Sequence, residues 1–180
     1  MKATRLSLAA MVLGTAIYTS QANAQGCSGN TGSCNTTNTA SVTIGALVKL
    51  TMSSATTTLT SPTADDVDAG NTLYNAGPTF TIKSNRSWTL KLKTTNTPNW
   101  TYVGSDAGVK PISDLTWSSA AGGSYAAITT TDATLASGGS STNNGSAQVH
   151  FKTLWTNDFT VASNAPGTYS LPIVFTLTAP

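Results

Sequence analysis

Residues 169–179 set the strongest constraint on the fold. Tyr169, Leu171, Ile173, Phe175, Leu177 and Ala179 fall on one parity, with Ser170, Pro172, Val174, Thr176 and Thr178 between them. Side chains change face at each step of a strand, so this alternation buries one side of an extended chain. Around a helix it would scatter the apolar groups over every face. The same period runs through residues 42–52, where Val42, Ile44, Ala46, Val48, Leu50 and Met52 share a parity and Leu47 breaks the rule. It returns in Phe80 and Ile82. Trp88, Leu90 and Leu92 stand against Thr89, Lys91 and Lys93, and Ala147, Val149, Phe151 and Trp155 against Gln148, His150 and Lys152. Pro172 has no N–H to give a ladder, so its part of the last strand belongs at an edge or bulge.

Between these runs lie turn-forming groups: Ser61-Pro62, Asn85-Arg86-Ser87, a Pro98-Asn99 pair and Asn164-Ala165-Pro166-Gly167. Residues 64–77, with Asp65, Asp66, Asp68 and Asn71, read as a loop. Residues 118–146 are low in complexity, anchored by Tyr125, Ile128 and Leu135, and predict one or two weak edge strands joined by loops. Glutamate is absent, and no charged i,i+4 helix face is present. The expectation is an all-β protein, an immunoglobulin-like antiparallel β-sandwich of about seven to nine strands.

The N-terminus is excluded from that fold. Lys2 and Arg5 precede a mostly apolar stretch, residues 6–17, and Ala22-Asn23-Ala24 follows as a small-x-small cleavage pattern. The stretch is shorter than the about 20 residues a bilayer span requires, and no later run is long enough. Residues 1–24 are therefore expected to be a cleaved signal peptide. Residues 25–39 are expected to form a flexible N-terminal extension, and residues 40–180 a single β-sandwich domain. The expected localisation is the periplasm, cell surface or extracellular space.

Export places Cys27 and Cys34 in an oxidising compartment, where a local disulfide is expected. Two cysteines without a neighbouring histidine make no zinc site. Over residues 25–180 the net charge is zero: Lys49, Lys83, Arg86, Lys91, Lys93, Lys110 and Lys152 balance seven aspartates. A nucleic-acid partner would need a clustered basic face and is not expected. His150 is the one histidine, on a face read as outward, and no Gly-x-Ser-x-Gly elbow accompanies it. No enzyme activity and no cofactor are expected. Asp65, Asp66 and Asp68 are a weak calcium candidate, set against a role as caps of backbone amides. Trp88, Trp117 and Trp155 share parity with core residues. Trp100 and Tyr102, after the Pro98-Asn99 turn, are candidate platforms for a sugar ring. Lys91 and Lys93 form a basic stripe that could meet anionic wall polymer, or could simply keep the strand face soluble.

Two family resemblances rest on these residues. Gly167 is fourteenth from the end and precedes the alternation of 169–179, a pattern similar to chaperone–usher pilins and the spore coat protein U group. Ala179 stands where such pilins carry a penultimate aromatic residue. The resemblance implies an incomplete sandwich whose groove accepts a strand from a chaperone or a neighbouring subunit. Val42, Ile44, Val48 and Leu50, with Tyr169, Leu171, Ile173, Phe175 and Leu177, are then the assembly strands. The second resemblance is to the WxL cell-surface domain. Trp88-Thr89-Leu90 follows Asn85-Arg86-Ser87, and Phe175-Thr176-Leu177 precedes Ala179-Pro180. The leading expectation is a non-catalytic surface subunit, pilin-like or coat-like, whose partners are itself, other surface subunits or a periplasmic chaperone. The alternative is a module that binds cell-wall polymer or glycan.

Overall fold

A computed structural model describes residues 32–70, 72–139 and 141–180. The chain divides into two units, Met1–Thr43 and Ile44–Pro180. In the first, residues 33–43 are exposed and carry no regular element. Cys27 lies outside the described residues, and so does its expected pairing with Cys34.

The second unit is all-β and antiparallel. Its strands are β1 (Val48–Met52), β2 (Thr72–Ser84), β3 (Trp88–Thr94), β4 (Thr101–Val103) and β5 (Leu115–Ser118). Then come β6 (Ala126–Ala127), β7 (Ala133–Gly138), β8 (Thr142–Leu154), β9 (Thr168–Ser170) and β10 (Ile173–Thr178). One sheet has the order β1-β2-β8-β5-β6 and a second the order β10-β3-β7, while β4 and β9 form a two-stranded ribbon. Phe80, Ile82, Leu115, Val149 and Phe151 of the first sheet pack with Trp88, Leu90, Leu92 and Leu135 of the second, joined by Trp100 and Ile128. The parity reading of β3 holds along its whole length: residues 88, 90, 92 and 94 are buried and 89, 91 and 93 half-buried.

Several expectations are corrected. Residues 42–52 do not form one strand. The ladder starts at Val48, opposite Ser84, because β2 ends there and the chain turns at Asn85. Val42 is 86% exposed and Ile44 69%. The long last strand is two strands, since Leu171 and Pro172 separate β9 on the ribbon from β10 on β3. A proline without an N–H marks the change of partner. The expected weak edge at 142–146 is the first half of the central strand β8, where Gly145 faces Ile82. A Cβ there would meet the Trp88 ring at 3.2 Å, so small residues suit the place.

Residues 64–68 form a short helix, α1 (Ala64–Asp68), rather than a loop. Thr63 Oγ1 accepts the Asp66 N–H, and Asp66 Oδ2 accepts the Thr63 N–H at 2.9 Å, a reciprocal cap. His150 is 9% exposed rather than solvated, because Tyr74 covers it and places its hydroxyl 2.8 Å from Nδ1.

Candidate functional site

The two long sides of the sandwich are finished differently. On one side, residues 126–133 cross from β6 to β7. The Ile128 N–H donates to Leu115 O in the first sheet, and the Thr94 N–H of the second donates to Thr129 O. Ile128 itself is buried between them. That crossing seals the side.

The other side is open. β10 pairs with β3 along one edge and is the last strand of its sheet along the other. Its inward residues Ile173, Phe175 and Leu177 touch the core and remain half-exposed. On the neighbouring strand β3, Leu90 is 0% and Leu92 1% exposed. The difference follows the pairing: β3 has a hydrogen-bonded strand on each flank, and β10 on one only. The Phe175 ring leans on Phe80 at 4.6 Å between centroids. A groove of about 830 Å³ opens at the start of β10, where Ile173 and Phe175 line it together with residues 164–172, residues 54–62, Leu115 and Phe151. An unpaired strand edge over an apolar floor can hold an extended segment by main-chain hydrogen bonds and alternate side-chain pockets.

One end of the groove is polar. Lys110 Nζ donates to Asp114 Oδ2 at 3.0 Å and to Leu154 O at 2.8 Å, and lies 4.0 Å from the centre of the Trp155 ring. Burial pulls its pKa below the ordinary lysine value, and Asp114 opposes that pull.

At the far end of β1 the chain is fastened by a side chain. Asn85 Oδ1 accepts the Leu47 N–H at 2.8 Å, and Asn85 Nδ2 donates to Gly45 O at 2.9 Å. The Asn85 N–H also donates to Leu47 O. One amide therefore extends the β1–β2 ladder beyond its last strand residue, as far as Gly45.

The structure separates the sequence-derived candidates. Tyr169, Leu171, Ile173, Phe175 and Leu177 all pack against the core. Val48 and Leu50 lie in the protein's own β1, and Val42 and Ile44 outside any strand. Trp100, expected as a platform, is 8% exposed and donates Nε1–H to Pro111 O at 3.0 Å. Tyr102 is half-buried, its hydroxyl donating to Pro166 O and its ring pressed by Gly104, Gly108 and Gly167. Lys93 pairs with Asp132 at 3.0 Å, which neutralises part of the basic stripe with Lys91. Trp88 of the Trp-Thr-Leu motif is buried with Leu90 in the core. Asp66 of the calcium candidate is engaged in the α1 cap. Lys110 and Asn85 carried no signal as site residues, because their partners are distant in sequence or hidden by the fold.

No family model and no curated protein matches this chain. Among solved structures, it is similar to a chain of a chaperone–usher pilus described for its rod uncoiling. The TM-score is 0.47 at 9% identity, over 87% of this chain and 100% of that one.

Proposed function

We propose that this chain is a secreted, non-catalytic structural subunit of a surface layer, coat or pilus-like fibre. In the assembly, a strand from a neighbouring copy occupies the groove beside β10. The observation that carries the reading is the contrast between β3, buried on its inward face, and β10, whose inward face is half-open along an unpaired edge. The donor is the segment before Gly45, in which Val42 and Ile44 alternate and are exposed in the single copy. Placing such a segment beside β10 would cover Ile173, Phe175 and Leu177 and pair the free edge, removing apolar area from water at about 25 cal/mol per Å². The wall- or glycan-binding alternative loses support from the burial of Trp100.

The test is assembly of residues 25–180 after secretion into a periplasm, followed by light scattering and negative-stain microscopy. Fibres or denaturant-resistant ladders are expected, and a chain lacking residues 25–44 should fold yet remain monomeric. A full-length product that stays a compact monomer, or a truncated one that still polymerises, overturns the reading.

A further inference from the structure

The charges balance in number and not in position. β2 and β8 pair from Thr72–Leu154 at one end to Ser84–Thr142 at the other. At about 3.3 Å per residue, these strands separate the two ends of the sandwich by roughly 40 Å.

The first end gathers α1 and the loops at 104–110 and 156–164. Lys110 ties that region to Leu154, the Val109 N–H donates to Ala162 O, and Gly70 lies beside Asn157. Asp65, Asp68, Asp106 and Asp158 are exposed there. Lys152, on β8, is engaged over the Tyr125 ring. Lys110 is cancelled by Asp114.

The opposite end is basic. Lys49 stands directly across the ladder from Lys83, and Arg86 follows in the adjoining turn. All three are exposed, and none has an acidic partner among the described residues. Like charges placed directly opposite on paired strands are destabilising. The pair borders a shallow depression of about 410 Å³, lined also by Ser84, Asn85, Thr142 and Asn143.

We propose that these two ends are complementary docking surfaces, the basic end of one copy seating on the acidic end of the next. The proposal rests on the assembly reading above and gives it a direction. The sandwich unit begins at Ile44, and its Gly45 is held by Asn85, at the basic end. The groove reaches Trp155 and residues 164–172, at the acidic end. A copy that donates its N-terminal segment therefore brings its own basic end towards the acidic end of the acceptor. Such a head-to-tail contact uses different surfaces on the two partners, so it repeats without closing. Opposite fields at the two ends steer encounter into that one polarity.

The experiment uses the full chain from Gln25 with two charge-reversed forms. One carries Lys49→Glu, Lys83→Glu and Arg86→Glu. The other carries Asp65→Lys, Asp68→Lys, Asp106→Lys and Asp158→Lys. Circular dichroism and melting confirm that each is folded. Each form alone should assemble at least about tenfold more slowly than the parent at ~20 mM salt, with the parent's advantage fading towards ~0.5 M. Mixing the two forms should restore assembly into alternating copolymers, an outcome that loss of folding cannot imitate. Reversed forms that assemble like the parent, or a mixture no better than its components, overturn the proposal. The truncation lacking residues 25–44 separates the two ideas. If it abolishes assembly while charge reversal does nothing, strand donation stands and end-to-end docking fails. If it assembles while charge reversal blocks assembly, docking stands and strand donation fails.

Discussion

Lys110 Nζ lies 3.0 Å from Asp114 Oδ2, with the lysine side chain 1% exposed and the aspartate 21%. The ammonium also has Leu154 O and the Trp155 ring, so it is held on three sides. Asp114→Asn removes the carboxylate partner and leaves a buried cation. The expected cost is about 2–3 kcal/mol at pH 7, at the low end for a broken buried pair because Asp114 is partly solvated.

That deficit should depend on pH. Burial holds the folded pKa of Lys110 below its ordinary value of 10.5. Between the folded and unfolded values the unfolded chain binds more protons, so stability from this group rises with pH. Losing Asp114 lowers the folded value further and widens the window downwards. Urea titrations near pH 7 and pH 9.5 should show the Asn variant recovering relative to the parent at the higher pH. An equal deficit at both would mean that the charge of Lys110 is not the cause.

Ile128 and Ile173 occupy the closed and open sides of the sandwich. Ile128→Ala should cost about 3 kcal/mol in the monomer, since the side chain is fully enclosed. Ile173→Ala should cost about 1 kcal/mol, because part of its surface is already wet. Assembly should reverse their order of importance, with Ile173→Ala slowing it more. Chemical denaturation and assembly rates on the same samples check both halves.

Gly77 sits at the irregularity between Ala76 and Thr79 in the β2–β8 pairing. A Cβ there would lie 2.7 Å from both Phe151 Cε2 and Val149 Cγ1. Both neighbours are buried and cannot swing away. Gly77→Ala is expected to destabilise by about 2–3 kcal/mol through overpacking, read as a lowered urea midpoint. An unchanged midpoint would mean that the bulge yields.

Trp100→Phe removes the Nε1–H bond to Pro111 O while keeping much of the ring. The loss should be about 1–2 kcal/mol of stability. A sugar or wall-polymer pull-down should be indifferent to the change, and a selective loss of binding without loss of stability would restore the platform role.

Period-two patterning made most of the sandwich legible. Trp88, Leu90 and Leu92 had to face one way, and the core has them there. The pattern failed where burial used small polar residues: residues 142–146 begin a central strand with few apolar side chains, and Gly145 there fits closely against Thr142, Trp88 and Ile82. It also overran at residues 42–47, where alternation is present and a partner strand is not, since β2 stops at Ser84. Asn85 was visible as a turn residue. Its hold on Gly45 and Leu47 was not, because those contacts span about forty positions that only the fold brings together. Lys110 was hidden for the reason buried ions usually are: nothing local announces a carboxylate, a carbonyl and an indole converging on one ammonium.

The Asn85 amide also decides how the protein would carry a mechanical load. It grips the chain at Gly45 and Leu47, just before the five residues of β1 pair antiparallel with β2. A pull applied at Gly45 along the axis of β1 would load the strand lengthwise. It would slide β1 past β2, straining the side-chain clip and the ladder bonds together instead of peeling them apart in turn. Five residues loaded in shear resist together, so in the proposed fibre tension from a neighbouring copy would enter each domain through a strand clipped by a side chain.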